Sequence, residues 1–557
     1  MKRHLGTVLL FLLLLSLLTA LPALAKTETP VLWVSPRAEK DMAAIEWYKN
    51  GNEYYFFIPG NTDIADMVFG LDHADSAKVN GVEIRGGDST GCLEYSNKNV
   101  VFIEGKRYAV TVMHGSAGLP AVYLTTESGS LDYIHKSKSN KEGGTVLFVN
   151  GSGETEYDGV LTSVKTRGNS SLTFKKKNYT LKLEKSTDLC GMGKSKTWII
   201  TGNYRDKSLL RNQITYDMAM YAGLEYTPEH ITCEVYINNE YMGAYLFSEK
   251  VMISKSRIAI RDLEEETEAL NGGDVSGFKR TGSATAQAGK FKAYQIPEEP
   301  EDITGGYLIE FESYSARYKQ EASVYYTKKK NTLVIKSPEY CSQAQMAYIT
   351  AFMQSFENAI FAKNGTDSKT GLHYSELVDM DSLVKKYLIE EVSKNYDGNS
   401  SSMFFYKPED SISQKAFAGP VWDYDSAYAS YARDDNAKKI LTGKNFYINN
   451  AKSNLWWPAL YKQADFKDAV IREYQSTFAP AMEILLGRRT DETGTLKSLD
   501  EYAEEIRASA DMNFIRWPIS ANPSTAAKTG ATFSLNITYL KNFIAERYDF
   551  LCGEWGK

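Results

Sequence analysis

At 557 residues the chain is too long for one hydrophobic core and calls for two or more domains. Its 43% hydrophobic and 24% charged content is that of an ordinary globular protein, and a net charge of −6 argues against a general nucleic-acid binder. Five cysteines outside any CxxC cluster and six scattered histidines disfavour a zinc site, a disulfide framework and a Ser-His-Asp hydrolase.

The N-terminus reads as an export signal. Lys2, Arg3 and His4 precede an apolar run from Leu5 to Leu21. Ala23-Leu24-Ala25 then supplies the small residues a signal peptidase needs, which favours cleavage after Ala25 over retention as an anchor. No cysteine stands near that junction for lipid attachment, and no later stretch reaches membrane-spanning length. The expectation is a signal peptide over 1–25 and a secreted, extracellular chain without a membrane span.

From 26 to about 112 the pattern is β. Val31-Leu32-Trp33-Val34, Glu53 to Ile58 and Val100 to Ile103 are short β-branched or aromatic runs, separated by turn signals at Asn50-Gly51-Asn52, Asn80-Gly81 and Gly86-Gly87. Such spacing predicts a small all-β sandwich, a spacer or a module for a polysaccharide or protein partner.

The next region, about 113–335, predicts strands at Leu119 to Leu124, Gly159 to Arg167 and Tyr179 to Leu183. A helix over Ser208 to Tyr221 follows, with Leu209, Leu210, Ile214, Met218 and Tyr221 at helical spacing and Asp206 or Ser208 as its cap. A hairpin pairs Ile231–Ile237 with Tyr241–Phe247. Residues 264–302, rich in Glu, Gly, Thr and Ala, predict a solvated, flexible insertion. Order resumes at Gly306 to Phe311. From about 340 to 557 the pattern is helical: Ala344–Ala362, Asp381–Asn395, Leu455–Leu486, Thr495–Ala510 and Asn536–Cys552. Strands Met403–Tyr406 and Phe417–Trp422 interrupt it. A β-rich lobe before a helical lobe leaves a cleft for a ligand.

Four constellations carry possible chemistry. Lys394 to Asn399 closes a helix, and Trp422-Asp423-Tyr424-Asp425 closes a strand. Asp423 and Asp425 stand 26 and 28 residues after Asp397. One carboxylate can serve an attacking hydroxyl while the others hold Mg²⁺ on phosphates. Spacing alone also fits turn and cap residues. Lys165 to Ser171, followed by Lys175, Lys176 and Lys177, forms a basic loop that suits phosphate oxygens or is simply a solvated hairpin. Arg211 and Asn212 point into a cleft or bond nearby loops. Glu249 and Glu310 each follow an apolar strand, where either pairs with a lysine or lines a nucleotide pocket.

The set and its order resemble the CotH (spore coat protein H) kinase family. The motifs are Arg167-Gly168-Asn169-Ser170-Ser171 with Lys176-Lys177-Asn178-Tyr179; Leu210-Arg211-Asn212; Tyr236-Ile237-Asn238 with Gly243 to Glu249; Gly305 to Glu310; and Trp422 to Asp425. The resemblance implies an α+β chain, with a two-lobed atypical protein-kinase-like domain over 113–557 behind the small β-sandwich domain. It implies ATP with Mg²⁺ or Mn²⁺, and phosphorylation of Ser or Thr in secreted or surface proteins. It implies Asp397 as the catalytic-loop aspartate and Asp423 and Asp425 as the metal-binding pair, with Asp425 favoured as ligand. It implies Lys177 as the phosphate-contacting lysine with Lys176 as the alternative, and assigns nucleotide-site positions to Arg167, Glu249 and Glu310. The chain departs from ordinary kinases at one place. The metal-binding Asn expected five residues after the catalytic Asp is here Ser402, while Asn399 stands two residues after Asp397. Either residue helps the metal through another geometry, or the domain is a non-catalytic pseudokinase in a surface-binding protein.

Overall fold

The computed structural model describes residues 29–37, 40–282, 287–312, 320–431, 440–452, 454–520 and 529–556, with Asn399 described in its backbone alone. The expected signal peptide lies outside the described residues. The chain forms two compact units. The first runs to Ile58 and resumes over Asp63–Met113, and the second comprises Pro59–Thr62 and everything from His114 onward.

In the first unit, Val31–Ser35 lies between Ile45–Glu46 and Val68–Asp72 in a three-stranded sheet. A six-stranded sheet runs in the order Tyr48–Asn50, Glu53–Ile58, Lys106–His114, Lys98–Ile103, Ala77–Val79, Val82–Ile84. Period-two alternation sets the buried face: Asn99, Val101 and Ile103 are buried while Lys98 and Phe102 are exposed.

The second unit is mixed α/β and starts with a closed seven-stranded barrel. Ala121–Thr126, Glu142–Val149, Thr155–Arg167, Asn178–Asp188, Lys194–Thr201, Glu240–Glu249 and His230–Ile237 pair in that order, and the last returns parallel to the first. Closure leaves no free edge. Leu124, Phe148, Leu181, Trp198, Val235 and Phe247 fill its interior. The hairpin turn Asn238-Asn239 has φ of 52° and 67°, both left-handed, which matches the twist of the strands it joins.

A seven-stranded antiparallel sheet follows: Arg280–Gly282, Lys290–Tyr294, Ser323–Tyr326, Thr332–Ser337, Tyr307–Phe311, Met403–Lys407, Phe417–Ala418. The 264–302 stretch therefore contributes two of its strands, and helix Leu263–Leu270 precedes them. It is not a wholly solvated insertion. Val275, Ala293 and Ile296 within it are buried although Leu270 is exposed, so position rather than apolar density orders it. Residues 283–286 within it lie outside the described set.

Helices Gln343–Phe361, Met380–Ser393, Leu499–Arg516 and Phe533–Trp555 share one core with this sheet. Ser342 and Gln345 close a capping box on the first and Ser498 and Glu501 on the third. The single helix expected over Leu455–Leu486 is broken into Trp456–Leu460, Ala464–Glu473, a π turn Tyr474–Phe478 and Ala479–Leu485. Gln463 at the first break donates to the carbonyls of Ile360 and Ala362. Pro480, lacking an N–H, follows the π turn, where its absent hydrogen bond tolerates the wider register. Among the described residues no helix is long and apolar enough to cross a membrane. All five cysteines are free thiols.

Glu234 on the barrel is wholly buried. It accepts from Ser509 Oγ at 2.7 Å and Gly60 N at 3.1 Å, and burial pushes its carboxyl up to about 8. An acid whose folded pKa is raised stabilises the fold fully below its unfolded value and loses that contribution as pH rises through the folded value. Stability of the second unit should therefore fall between about pH 4.5 and 8 through this group, by ~2–5 kcal/mol. Urea midpoints across that range should show the slope reduced in Glu234→Gln. An unchanged slope refutes the assignment.

Candidate functional site

Two loops distant in sequence build the acidic centre. The first follows helix Met380–Ser393, which ends on Lys394 in the left-handed region at φ 46°. That turn redirects the chain into a 3₁₀ turn at Asp397–Asn399. Asn395 Oδ1 accepts from Asp397 N at 3.2 Å, and the N–H groups of Ser400 and Ser401 each donate to Asp397 O at 2.7 Å. Gly398 has no room for a side chain, because a Cβ there would meet Glu390 Oε2 at 1.9 Å. Glu390 cannot easily yield: it is buried with Lys386 Nζ at 2.7 Å and accepts from Tyr424 Oη at 2.6 Å.

The second loop leaves the sheet at Ala418, so the strand expected to reach Trp422 is only two residues long and the acids ride on irregular backbone. Asp423 sits at φ 67°, a strained conformation for a residue with a Cβ. Its neighbours fix it there. Tyr424 N donates to Asn212 Oδ1 at 2.7 Å, and Asp423 N donates to Tyr216 Oη at 3.4 Å. One carboxylate oxygen from each of Asp397, Asp423 and Asp425 lies within 4.8 Å of the others.

Burial pushes the Asp423 carboxyl well above the usual carboxylate range, and Asp425 and Asp397 push it further, against Arg167 and Arg205. Burial also raises Asp425, with Arg205 the chief opposing charge. Three crowded carboxylates disfavour joint ionisation unless a cation joins them, and hard oxygen donors suit Mg²⁺ or Mn²⁺. The donor set therefore fits a divalent cation between Asp423 and Asp425, with the Asp397 carboxylate within reach of it. Asn399, the other expected ligand, has its side chain outside the described ones.

The segment Asn203 to Asn212 supports this second loop. The helix begins at Arg211 rather than Ser208, and Asp206 Oδ2 accepts its first N–H at 2.8 Å. Buried Asp206 and Arg211 form an ion pair, and Arg211 also donates to the carbonyls of Ala427 at 3.0 Å and Tyr428 at 3.2 Å. Asn212 Nδ2 donates to Asn203 Oδ1 at 2.9 Å. Arg211 and Asn212 thus hold the acidic loop by bonding it. Sequence reasoning missed Arg205, whose Nη1 donates to Ser426 Oγ at 2.9 Å, while that hydroxyl donates to Asp425 Oδ1 at 2.9 Å. Arg205 is also stacked on Tyr431 at 4.1 Å and on Phe174 at 5.1 Å. Its only sequence signal was a cation at the mouth of a helix.

The remaining expected residues divide. Arg167, at the end of its barrel strand, stacks over Trp422 at 4.8 Å, and the charges of Asp423 and Glu310 both favour its cation. Glu310, on a central strand of the second sheet, stands 3.8 Å from Lys336 Nζ. Arg167 thus stands beside the acidic centre, and Glu310 stands beside Arg167. Lys176 does not present a free cation: it is buried, donates to Ala244 O and to Asn513 Oδ1 at 2.7 Å, and lies over Tyr245 at 4.2 Å. Lys177 donates to Leu172 O within its own loop. Glu249 pairs with Arg257 rather than a lysine and accepts from Glu229 N at 3.1 Å, and burial lifts its carboxyl to about 7.

Residues 164–551, well over half of the chain, match the family model described as CotH kinase protein. No curated protein matches the chain.

Proposed function

Since the chain belongs to the CotH kinase family, we propose that it is a secreted atypical protein kinase that transfers the γ-phosphate of ATP to Ser or Thr of extracellular or surface proteins. The observation that carries this reading is the convergence of Asp397, Asp423 and Asp425 within 4.8 Å, beside Arg167. In it, the barrel and the helical region act as the two lobes of one kinase-like domain. The first unit, over about 26–112, acts as a β-sandwich module for a polysaccharide or protein partner.

Asp423 and Asp425 would hold a divalent cation, which when bound would supply positive charge to the phosphates, and Asp397 faces the acceptor. Asp397 accepts the proton of the acceptor hydroxyl as its oxygen bonds to the γ-phosphorus, and the bond from that phosphorus to the bridging oxygen of ADP breaks. Arg167 adds positive charge beside the same phosphates.

Incubating the full mature chain with γ-labelled ATP, Mg²⁺ or Mn²⁺ and its native exoproteome tests the reading. Label should appear on Ser or Thr and vanish with EDTA. Transfer of AMP instead would replace phosphorylation with nucleotidylation. Nucleotide binding without transfer would favour a pseudokinase, a reading that Ser402 supports by standing where ordinary kinases place a metal-binding Asn.

A further inference from the structure

We infer that Glu390 is a positioning residue that sets the two acidic loops against each other, one carboxylate oxygen fixing the Asp423–Asp425 loop and the other the turn at Asp397. The inference rests on the kinase reading and deepens it by naming what spaces the proton acceptor from the metal pair.

Glu390 lies one turn from Lys386 on helix Met380–Ser393. Lys386 Nζ donates to Glu390 Oε1 at 2.7 Å and to Tyr424 Oη at 3.0 Å, and Tyr424 Oη donates to the same Oε1 at 2.6 Å. The triangle is closed, and all three side chains are buried. Tyr424 stands between Asp423 and Asp425, and its own N–H donates to Asn212 Oδ1. Held at hydroxyl and main chain, it carries both flanking acids with it. Asp423 needs such support, because a left-handed φ of 67° persists only where its surroundings over-determine it.

The other oxygen meets the first loop. Glu390 Oε2 is buried and accepts no hydrogen bond among the described residues, an unusual state for a carboxylate oxygen. A Cβ on Gly398, the residue after Asp397, would stand 1.9 Å from it. The φ of Gly398 is not left-handed, so the backbone conformation does not demand glycine there; the Glu390 carboxylate does. Glu390 O also accepts from Asn395 N at 3.4 Å, and Asn395 Oδ1 in turn accepts from Asp397 N at 3.2 Å. A carboxylate kept only as the partner of Lys386 has no reason to leave one oxygen unbonded against a glycine, whereas one that spaces two loops must press on both. Phosphoryl transfer depends on that spacing, since an error of about 1 Å between reacting groups costs on the order of a hundredfold in rate.

The test separates the two oxygens in the full mature chain. Mn²⁺ affinity is read by paramagnetic resonance titration with the metal alone, and transfer as the initial rate of γ-label from ATP to the native exoproteome. Tyr424→Phe should weaken Mn²⁺ binding by about tenfold. Gly398→Ala should lower the transfer rate by about ten- to a hundredfold, with Mn²⁺ affinity and the KM for ATP within roughly twofold of wild type. In a background that removes the buried pair together, Glu390→Ala with Lys386→Met, Gly398→Ala should add less than about twofold, because the oxygen it meets is gone. If that background does not fold, the split between the two single variants decides. An undiminished Gly398→Ala loss in that background, or unchanged Mn²⁺ affinity in Tyr424→Phe, overturns the assignment while the kinase reading stands. A wild type that binds Mn²⁺ but transfers no label removes the kinase reading, and the Mn²⁺ affinity of Tyr424→Phe then decides the role of Glu390 alone. A wild type that binds no Mn²⁺ removes both.

Discussion

Asp397→Asn and Asp425→Asn should each lower phosphoryl transfer by about a thousandfold or more, and neither should unfold the protein. The carboxylates meet within 4.8 Å, so each substitution removes a charge from the point where the transition state needs a cation held. Stability should move the other way. Burial and the neighbouring acids raise Asp423 and Asp425, so with no metal bound their ionised forms oppose folding. The sign follows from linkage. Acids with raised folded pKa values stabilise at low pH and lose that contribution as pH rises past the ordinary carboxylate range. At neutral pH, Asp425→Asn should therefore melt at or above the wild type while being inactive, the trade-off expected of strained functional groups. Millimolar Mn²⁺ should raise the wild-type melting temperature and leave Asp425→Asn nearly unmoved, because a ligand stabilises only the state it binds. Equal Mn²⁺ shifts in both proteins, or wild-type transfer rates in both variants, would remove the acidic centre from the chemistry.

Much of this centre was legible in the sequence because short-range chemistry announces it. Asp397 and the Asp423–Asp425 pair stand at the ends of patterned elements, and Arg167 closes an alternating strand. The barrel was less legible. Strands Glu142–Val149 and Lys194–Thr201 were not read, and closure depends on a parallel pairing between Ala121–Thr126 and His230–Ile237, about a hundred residues apart, that no local pattern encodes. The lysines show the same limit. Lys176 and Lys177 look equivalent in a run of three, yet only Lys176 enters the interior, where Asn513 from a helix more than 300 residues later receives it. Glu249 was recognisable as a site-like residue, but its partner Arg257 lies in an irregular segment with no periodicity to read.

Arg547→Met should be the most destabilising single substitution considered, by about 3–5 kcal/mol, because it leaves Glu391 charged and buried without its partner. Both residues are wholly buried. Arg547, on the C-terminal helix, pairs with the Glu391 carboxylate and donates to Glu391 O at 2.6 Å, Gly443 O at 3.0 Å and Asn445 O at 2.8 Å. Glu391 also accepts from Tyr447 N at 2.6 Å and Asn449 N at 3.0 Å. One guanidinium thus joins the last helix, the 443–449 loop and the helix whose end carries Asp397. Lysine cannot reproduce the planar fork that serves these carbonyls, so Arg547→Lys should recover only a minor part of the loss. Replacing both partners, as Glu391→Gln with Arg547→Met, should cost less than the two single losses added, since the unpaired buried charge is gone. Urea denaturation of the four proteins measures each leg. A loss below about 1 kcal/mol for Arg547→Met would show that solvent reaches Glu391, and that the turn bearing Asp397 is held by something other than this pair.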